Sequence, residues 1–129
     1  MSERAIIVSG GPIESRVAAM LDDYGYDPVV IEQDADRCEQ LHTTTRAVII
    51  NGDATRPGIL DQADPERASL FAALSKSPER NRTLCRRVKR QAGKIRTVAR
   101  GTPSGDEQAI TGAADKTIHV PVAGAKAVV

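Results

Sequence analysis

A glycine turn at residues 9–12 contains the first residues along the chain whose types could bind a nucleotide. The turn and the residue after it are Ser9, Gly10, Gly11, Pro12 and Ile13. Glycine in such a turn lets backbone N–H groups approach a phosphate, and the positive end of the following helix favours the anion. The turn follows an apolar run at residues 5–8 and precedes apolar residues at helical spacing. This pattern predicts a strand, a phosphate-binding turn and a helix.

A second polar stretch follows the next apolar run, at residues 29–31. It contains Glu32, Gln33 and Asp34, and Glu32 lies 21 residues after Gly11. A carboxylate about 20 residues beyond the glycine turn accepts hydrogen bonds from ribose hydroxyls in dinucleotide-binding units. Residues 1–34 therefore have the layout of a mononucleotide-binding β-α-β unit.

The glycine pattern itself is incomplete. Aligned with G-x-G-x-x-G, the chain has Ser9, Gly11 and Glu14 at the three glycine positions. A glutamate at the third position would crowd the helix against the strand, and its charge would repel phosphate. Two interpretations therefore stay open, a site that binds a nucleotide and a β-α-β unit that has lost its ligand.

Strand and helix patterns alternate along the rest of the chain. Further strands are predicted at residues 47–50, 68–74, 95–99 and 117–121, and helices at 35–42, 57–63, 78–92 and, weakly, 105–114. The first helix should bury Ile13, Val17, Met20 and Leu21, and Pro57 should begin the third. Asp34 and Ser77 should cap the helices that begin at residues 35 and 78. Alternation predicts an α/β fold, a doubly wound Rossmann-like parallel sheet with helices on both faces. The ends of the first four strands meet at one edge, where such sheets bind ligands.

Composition excludes several other classes of function. The chain has 129 residues, a net charge of +1 and 2% aromatic residues, which disfavours nucleic-acid binding. No apolar run is long enough to cross a membrane, and the start of the chain does not resemble a signal peptide.

The fourth helix carries a row of cations. We interpret this row as a solvated face, with contact to an acidic partner as the alternative. The cations are Arg80, Arg82, Arg86, Arg87, Lys89 and Arg90.

The residues suited to metal binding or to catalysis are few. Cys38 and Cys85 fall in predicted helices without neighbouring metal ligands, so both are expected to be buried free thiols. An NAD-dependent enzyme would need an acid or base, and the candidates are His42 and His119. Their positions, at a helix end and inside the last strand, favour structural or surface roles. We therefore expect neither a metal site nor an enzyme.

Taken together, the motifs resemble the N-terminal lobe of regulator of potassium conductance (RCK) domains, also called KTN or TrkA-N domains. Residues 5–11 resemble that family's first strand and glycine loop, and residues 29–34 its second strand with the ribose acid. Gly-Asp-Ala-Thr at residues 52–55 is the most specific match. Residues 79–81, 98–100, 112–115 and 120–121 resemble later family segments, so the match covers almost the whole chain.

The resemblance implies a sheet in the strand order 3-2-1-4-5-6 that binds NAD(H) or an adenine nucleotide (ATP, ADP or AMP). It implies that Gly11 and Arg100 face phosphate, Glu32 holds the ribose, and Asp53 and Ala54 flank the adenine. The departures are Ser9 and Glu14 in place of glycines, Pro12 in place of an arginine and Pro78 in place of an acid. The residues expected at the site are Ser9, Gly10, Gly11, Pro12, Ile13, Glu32, Gln33, Asp34, Asp53, Ala54, Thr55, Ser75, Asn81 and Arg100.

The resemblance also implies partners and a location. Such lobes form dimers or larger rings and regulate the membrane subunit of a potassium channel or transporter, without inserting into the membrane themselves. The expected location is the cytoplasm, at the inner face of the membrane through the transport partner. Residues 1–121 would form the lobe and residues 122–129 a tail or linker. Because no second RCK lobe is present, the chain is expected to be a fragment or a free-standing lobe.

Overall fold

The computed structural model describes residues 3–8, 13–101 and 114–119. Six strands in this part of the chain form one sheet in the order β3-β2-β1-β4-β5-β6. All the neighbouring strands run parallel, which confirms the predicted doubly wound sheet. The strands are β1 Glu3–Val8, β2 Tyr26–Glu32, β3 Val48–Asn51, β4 Ala68–Ala73, β5 Arg96–Gly101 and β6 Lys116–His119.

In the described residues one helix follows each of β1, β2, β3 and β4. They are α1 Ile13–Asp23, α2 Ala35–Thr44, α3 Ile59–Gln62 and α4 Pro78–Gln91, with a 3₁₀ turn at Pro65–Arg67. Asp34 caps α2 by accepting the N–H groups of Asp36 and Arg37, and Ser77 caps α4 by accepting that of Arg80. Both caps were predicted, because Asp and Ser satisfy the unpaired N–H groups of a first helical turn.

Two apolar clusters cover the two faces of the sheet. Ala18 of α1 and Leu41 of α2 pack on Ile7 and Val30, and Leu84 and Val88 of α4 pack on Ile6 and Phe71 of the opposite face. The side chains of β1 from Ala5 to Val8 are buried, which explains why this strand is apolar without alternation. Helices α1 and α2 thus lie on one face, and α4 lies on the other.

Two details differ from the sequence-based expectations. Met20 is 55% exposed, although helical spacing predicted it on the buried face of α1. The buried face centres on Ala18, with Ile13, Val17 and Leu21 partly buried beside it. The third helix begins at Ile59, after Gly58 with φ of 87°, so Pro57 lies in the preceding turn and not in the helix.

Some predicted segments cannot be compared with the structure. Most of the weak helix predicted at residues 105–114 lies outside the described residues, as does the tail at 122–129. Ala114 itself is buried and is not helical. The last strand, predicted at 117–121, is described at Lys116–His119.

Candidate functional site

A cavity of about 350 Å³ opens at the carboxyl edge of the sheet. Val8 and Ile31, at the ends of β1 and β2, form its apolar floor. The register pairs Val8 with Ile31 on one side and with Ala73 of β4 on the other, so the three strands end at the same level. Chain connections diverge between β1 and β4, which is where open parallel sheets place their ligands.

Glu32 is the acid of this cavity. It is the last residue of β2, its exposed fraction is only 5%, and its Oε2 accepts the N–H of Asp34 at 2.8 Å. Its backbone oxygen accepts the N–H of Gly52 at 2.9 Å and the side-chain amide of Asn51 at 3.0 Å. These bonds hold the end of β2 against the loop after β3, and they give the carboxylate a defined direction beside the cavity.

The loop after β3 forms a second wall. Gly52 and Ala54 line the cavity, and Ala54 is buried. A Cβ atom built on Gly52 would lie 2.8 Å from Cδ1 and 3.1 Å from Cγ2 of Ile59, so any larger residue here would displace the Ile59 side chain. The Gly-Asp-Ala-Thr segment is therefore shaped both by packing against α3 and by its position at the cavity.

Asp53 has three donors at one oxygen. Its Oδ1 accepts the N–H and the hydroxyl of Thr55, at 2.9 and 2.6 Å, and Nη2 of Arg80 at 2.6 Å. The pKa of Asp53 is lowered from its ordinary value, first by the Thr55 hydroxyl and also by the charge of Arg80. Asp53 is therefore ionised at neutral pH, and its charge is balanced within the chain.

Ser75 and Asn81 join β4, α4 and β5 at the same edge. The fully buried Asn81 accepts the N–H and hydroxyl of Ser75, at 3.1 and 2.6 Å. Its amide donates to the backbone oxygens of Ser75 and Arg100, at 2.9 and 2.8 Å. Ser75 lines the cavity, whereas Asn81 acts on it indirectly, by holding Ser75 and the end of β5 in place.

The structure thus brings together part of the set expected from the sequence. Glu32, Gln33, Ala54 and Ser75 line the cavity. Asp53 is not part of the lining, but it forms an ion pair with Arg80, which is. The remaining residues of the set have other positions. Ile13 packs against the apolar cluster under α1, Asp34 caps α2, Thr55 binds Asp53, and Nη1 of Arg100 donates to the oxygen of Leu74 at 3.3 Å. Ser9, Gly10, Gly11 and Pro12 lie outside the described residues.

Glu14, the expected obstacle to phosphate, is fully buried at the start of α1. Its Oε1 lies 2.7 Å from Nε of Arg37 on α2, so the carboxylate is ion-paired across the two helices. The first turn of a helix also favours an acid, because its unpaired N–H groups carry partial positive charge. Glu14 does not line the cavity described above.

Arg80 and Lys76 line the cavity and were not expected there. Arg80 was assigned to the solvated cationic face of α4, but its side chain turns back over the edge of the sheet. The available signal was Ser77-Pro78, a cap and first helical residue, which places residue 80 in the first turn directly beside the strand ends. Sequence spacing alone does not say which way such a long side chain points.

Within residues 3–8, 13–101 and 114–119, no three His, Cys, Asp or Glu side chains form a group that could hold a metal ion. In the same ranges no helix is both long and apolar enough to cross a bilayer. Cys38 and Cys85 are buried free thiols, as predicted, and His42 is exposed on α2.

An open parallel sheet with a cavity at its switch point defines a Rossmann-like domain. The family model for the TrkA-N domain matches residues 5–120, and the chain belongs to this family. A Trk system potassium uptake protein TrkA homolog from Pyrococcus abyssi is 33% identical over 103 residues, which are 80% of this chain and 45% of that protein. The chain thus spans less than half the length of this relative.

Solved structures share the fold. The TrkA-N domain of the inner membrane protein ybaL from Escherichia coli superimposes with a TM-score of 0.82 at 19% identity, over 92% of this chain and 88% of that chain. A structure of GsuK bound to ADP gives a TM-score of 0.77 at 26% identity, over 91% and 30% of the two chains. The GsuK channel bound to NAD gives 0.77 at 17% identity, over 92% and 21%.

Proposed function

We propose that this chain is a nucleotide-binding regulatory lobe of a potassium channel or transporter, with NAD(H) or an adenine nucleotide as its ligand. The observation that carries the proposal is the cavity at the carboxyl edge, with the nearly buried Glu32 on one side and the loop of Asp53 and Ala54 on the other. The similarity to TrkA homologues supports the transport role, and the ADP-bound and NAD-bound GsuK structures support the ligand class.

In this proposal each wall of the cavity contacts one part of the ligand. Glu32 accepts hydrogen bonds from ribose hydroxyls, and the loop of Asp53 and Ala54 contacts the adenine. The turn containing Gly11 contacts the phosphates with its backbone N–H groups. Ser75, next to the switch point, contacts the part of the ligand beyond the phosphates.

Regulation follows if the ligand binds two states of the assembly unequally. A ligand shifts an equilibrium only by its difference in affinity for the two states. In this proposal the lobe spans residues 1–121, forms a dimer or a larger ring, and acts in the cytoplasm on the membrane subunit. It has no enzymatic step and does not bind nucleic acid.

Calorimetric titration with NAD, NADH, ATP, ADP and AMP tests the proposal. We expect at least one to bind at up to about millimolar concentration, and the variant Glu32→Gln to bind it roughly tenfold more weakly, because a neutral amide is a poorer acceptor. Glu39→Gln is the matched control, since Glu39 is exposed on α2. Absence of heat and of thermal stabilisation with all five nucleotides would refute ligand sensing by this lobe.

The second candidate function is an assembly element without a ligand. It is favoured by Glu14, a buried acid at a fingerprint position that in a phosphate-binding turn is glycine. The discriminating variant combines Ser9→Gly with Glu14→Gly. If this variant binds a nucleotide that the parent chain does not bind, the second candidate is correct, whereas binding by the parent chain rules it out.

A further inference from the structure

Arg80 extends across the cavity from one wall to the other. It begins in the first turn of α4, where its N–H donates to the Ser77 hydroxyl at 3.2 Å. Its Nη2 lies 2.6 Å from Oδ1 of Asp53, in the loop after β3, and 3.1 Å from Oε1 of Gln33, in the loop after β2. The guanidinium therefore occupies the side of the cavity at which an adenine is proposed to bind.

The Asp53–Arg80 ion pair is only partly shielded from water. The exposed fractions of the two side chains are 21% for Asp53 and 31% for Arg80. Thr55 donates twice to the same oxygen of Asp53, so the carboxylate keeps its direction even when the guanidinium leaves. An arginine stem at this exposure can turn outward at modest cost, because its aliphatic part has many accessible rotamers.

The chemistry at Asp53 Oδ1 restricts what can replace the guanidinium. All three groups that approach this oxygen are hydrogen-bond donors. A ligand group at the same position must also be a donor, since two acceptors repel each other. Adenine carries an amino donor at C6, whereas guanine and hypoxanthine carry a carbonyl acceptor there.

We propose that Arg80 is an intramolecular competitor for the adenine end of the cavity, where Asp53 accepts only a base that brings its own hydrogen-bond donor. A purine with an amino group at C6 binds by replacing the Arg80 guanidinium at Asp53, and a purine with a carbonyl group at C6 cannot do so. The released guanidinium stays tethered to α4 beside the base, where it can stack on the ring. This inference rests on the proposed nucleotide binding.

Competition lowers the apparent affinity by the fraction of molecules in which Asp53 is already engaged. Removing the competitor should therefore strengthen binding of adenine ligands. For a partly exposed, hydrogen-bonded ion pair we expect a gain of roughly threefold to tenfold. The gain should be the same for adenosine and for ADP, because it arises at the base and not at the phosphates.

The test compares Arg80→Met with Arg86→Met by calorimetry, using adenosine, ADP and inosine diphosphate. Both substitutions remove one charge from α4 and keep an apolar stem, but Arg86 is exposed and does not line the cavity. We expect Arg80→Met to bind adenosine and ADP more tightly and to leave inosine diphosphate unchanged, and Arg86→Met to match the parent chain. Arg80→Gln provides a second variant if Arg80→Met does not fold.

Asp53→Asn completes a double-mutant cycle. If Arg80 acts through Asp53, the gain from Arg80→Met disappears when Asp53→Asn is also present. If Arg80→Met binds ADP equally or more weakly than the parent chain does, the proposal that Arg80 competes with adenine is refuted. Because the parent chain still binds ADP, the proposed function is not affected. Absence of binding in the parent chain and in every variant overturns both.

Discussion

At the scale of single residues, Asn81 shows how a polar side chain can be essential near a site without contacting a ligand. Its buried amide makes four hydrogen bonds, which join Ser75 to the end of β5. A substitution that removes this amide leaves buried backbone oxygens without donors, which costs about 1–3 kcal/mol per group.

We therefore predict that Asn81→Ala lowers the free energy of unfolding by about 3 kcal/mol. Urea denaturation monitored by circular dichroism measures the change. Thr83→Ala, on the exposed side of the same helix, is the control and should change stability by less than about 0.5 kcal/mol. A loss as small as that of the control would show that water replaces the amide in the folded chain.

A second prediction at this scale concerns the thiols. Burial raises the pKa of Cys85 to about 12, and burial also raises that of Cys38. Because the thiolate is the reactive form, neither should react with a thiol reagent at pH 8 in the folded chain, and both should react in denaturant. Mass spectrometry of the labelled chain measures this. The control is Cys38→Ser, which isolates Cys85, and rapid labelling of that variant when folded would contradict the buried position.

Strand ends together with the family resemblance placed Glu32, Gln33, Ala54 and Ser75 at this edge of the sheet, where they line the cavity. They were insufficient for Arg80, because the direction of a flexible side chain depends on acceptors that are distant in sequence. Gln33 and Asp53 lie 47 and 27 positions away from Arg80. The same limit applies to Glu14, whose partner Arg37 belongs to a different helix.

At the scale of elements, β6 is held to the sheet partly by Asp115, just before the strand. Its Oδ2 accepts the N–H of Thr97 at 2.8 Å and lies 2.8 Å from Nζ of Lys89 on α4. The pKa of Asp115 is lowered from its ordinary value of 3.8, first by the hydrogen bond from Lys89 and then by that from Thr97. This carboxylate therefore connects α4, β5 and β6.

A lowered pKa in the folded state means that Asp115 stabilises the fold above its unfolded pKa and loses this effect as the pH falls below about 4. We predict that Asp115→Asn lowers the free energy of unfolding at pH 7 by about 1 kcal/mol, since the pair is partly exposed. The difference from the parent chain should shrink as the pH approaches about 3.

Urea denaturation at both pH values measures these differences. Glu66→Gln, on the exposed 3₁₀ turn, should have little effect at either pH. A difference for Asp115→Asn that is the same at pH 7 and at pH 3 would contradict a role for its charge.

Element types followed from periodicity more reliably than element details did. The strands and the caps at Asp34 and Ser77 were predicted because apolar runs, alternation and cap chemistry are local signals. The strand order came from the family resemblance and not from local signals. The predicted start of α3 at Pro57 was wrong, because Gly58 has a positive φ and the helix begins only after it, at Ile59. The predicted burial of Met20 was wrong, because periodicity identifies one side of a helix but not the width of its buried face.

At the scale of the whole molecule, charge is strongly segregated even though the net charge is only +1. Residues 76–100 contain ten Lys or Arg and one acid, and residues 13–44 contain eight Asp or Glu and two Arg. The first segment includes α4 and the second includes α1 and α2, which cover opposite faces of the sheet. Two copies can therefore place unlike charges against each other.

We predict that the self-association proposed above weakens as salt rises from about 50 to about 500 mM, because salt screens exposed charges. Light scattering at several protein concentrations measures the mass. Arg86→Glu with Arg90→Glu should weaken association at low salt. Arg16→Glu with Arg46→Glu makes the same change in net charge outside the basic segment and should not. A mass that is independent of salt and of both variants would show that charge does not drive assembly.

The four bonds of Asn81 have a mechanical consequence. They anchor the first turn of α4 to two strands at once, so a tilt of this helix would have to break buried hydrogen bonds. We expect an occupant of the cavity to leave the backbone nearly still and to reposition only the Arg80 guanidinium. Any signal passed to a neighbouring subunit would then be a redistribution of surface potential, and crystals of empty and occupied forms would differ mainly in side-chain rotamers.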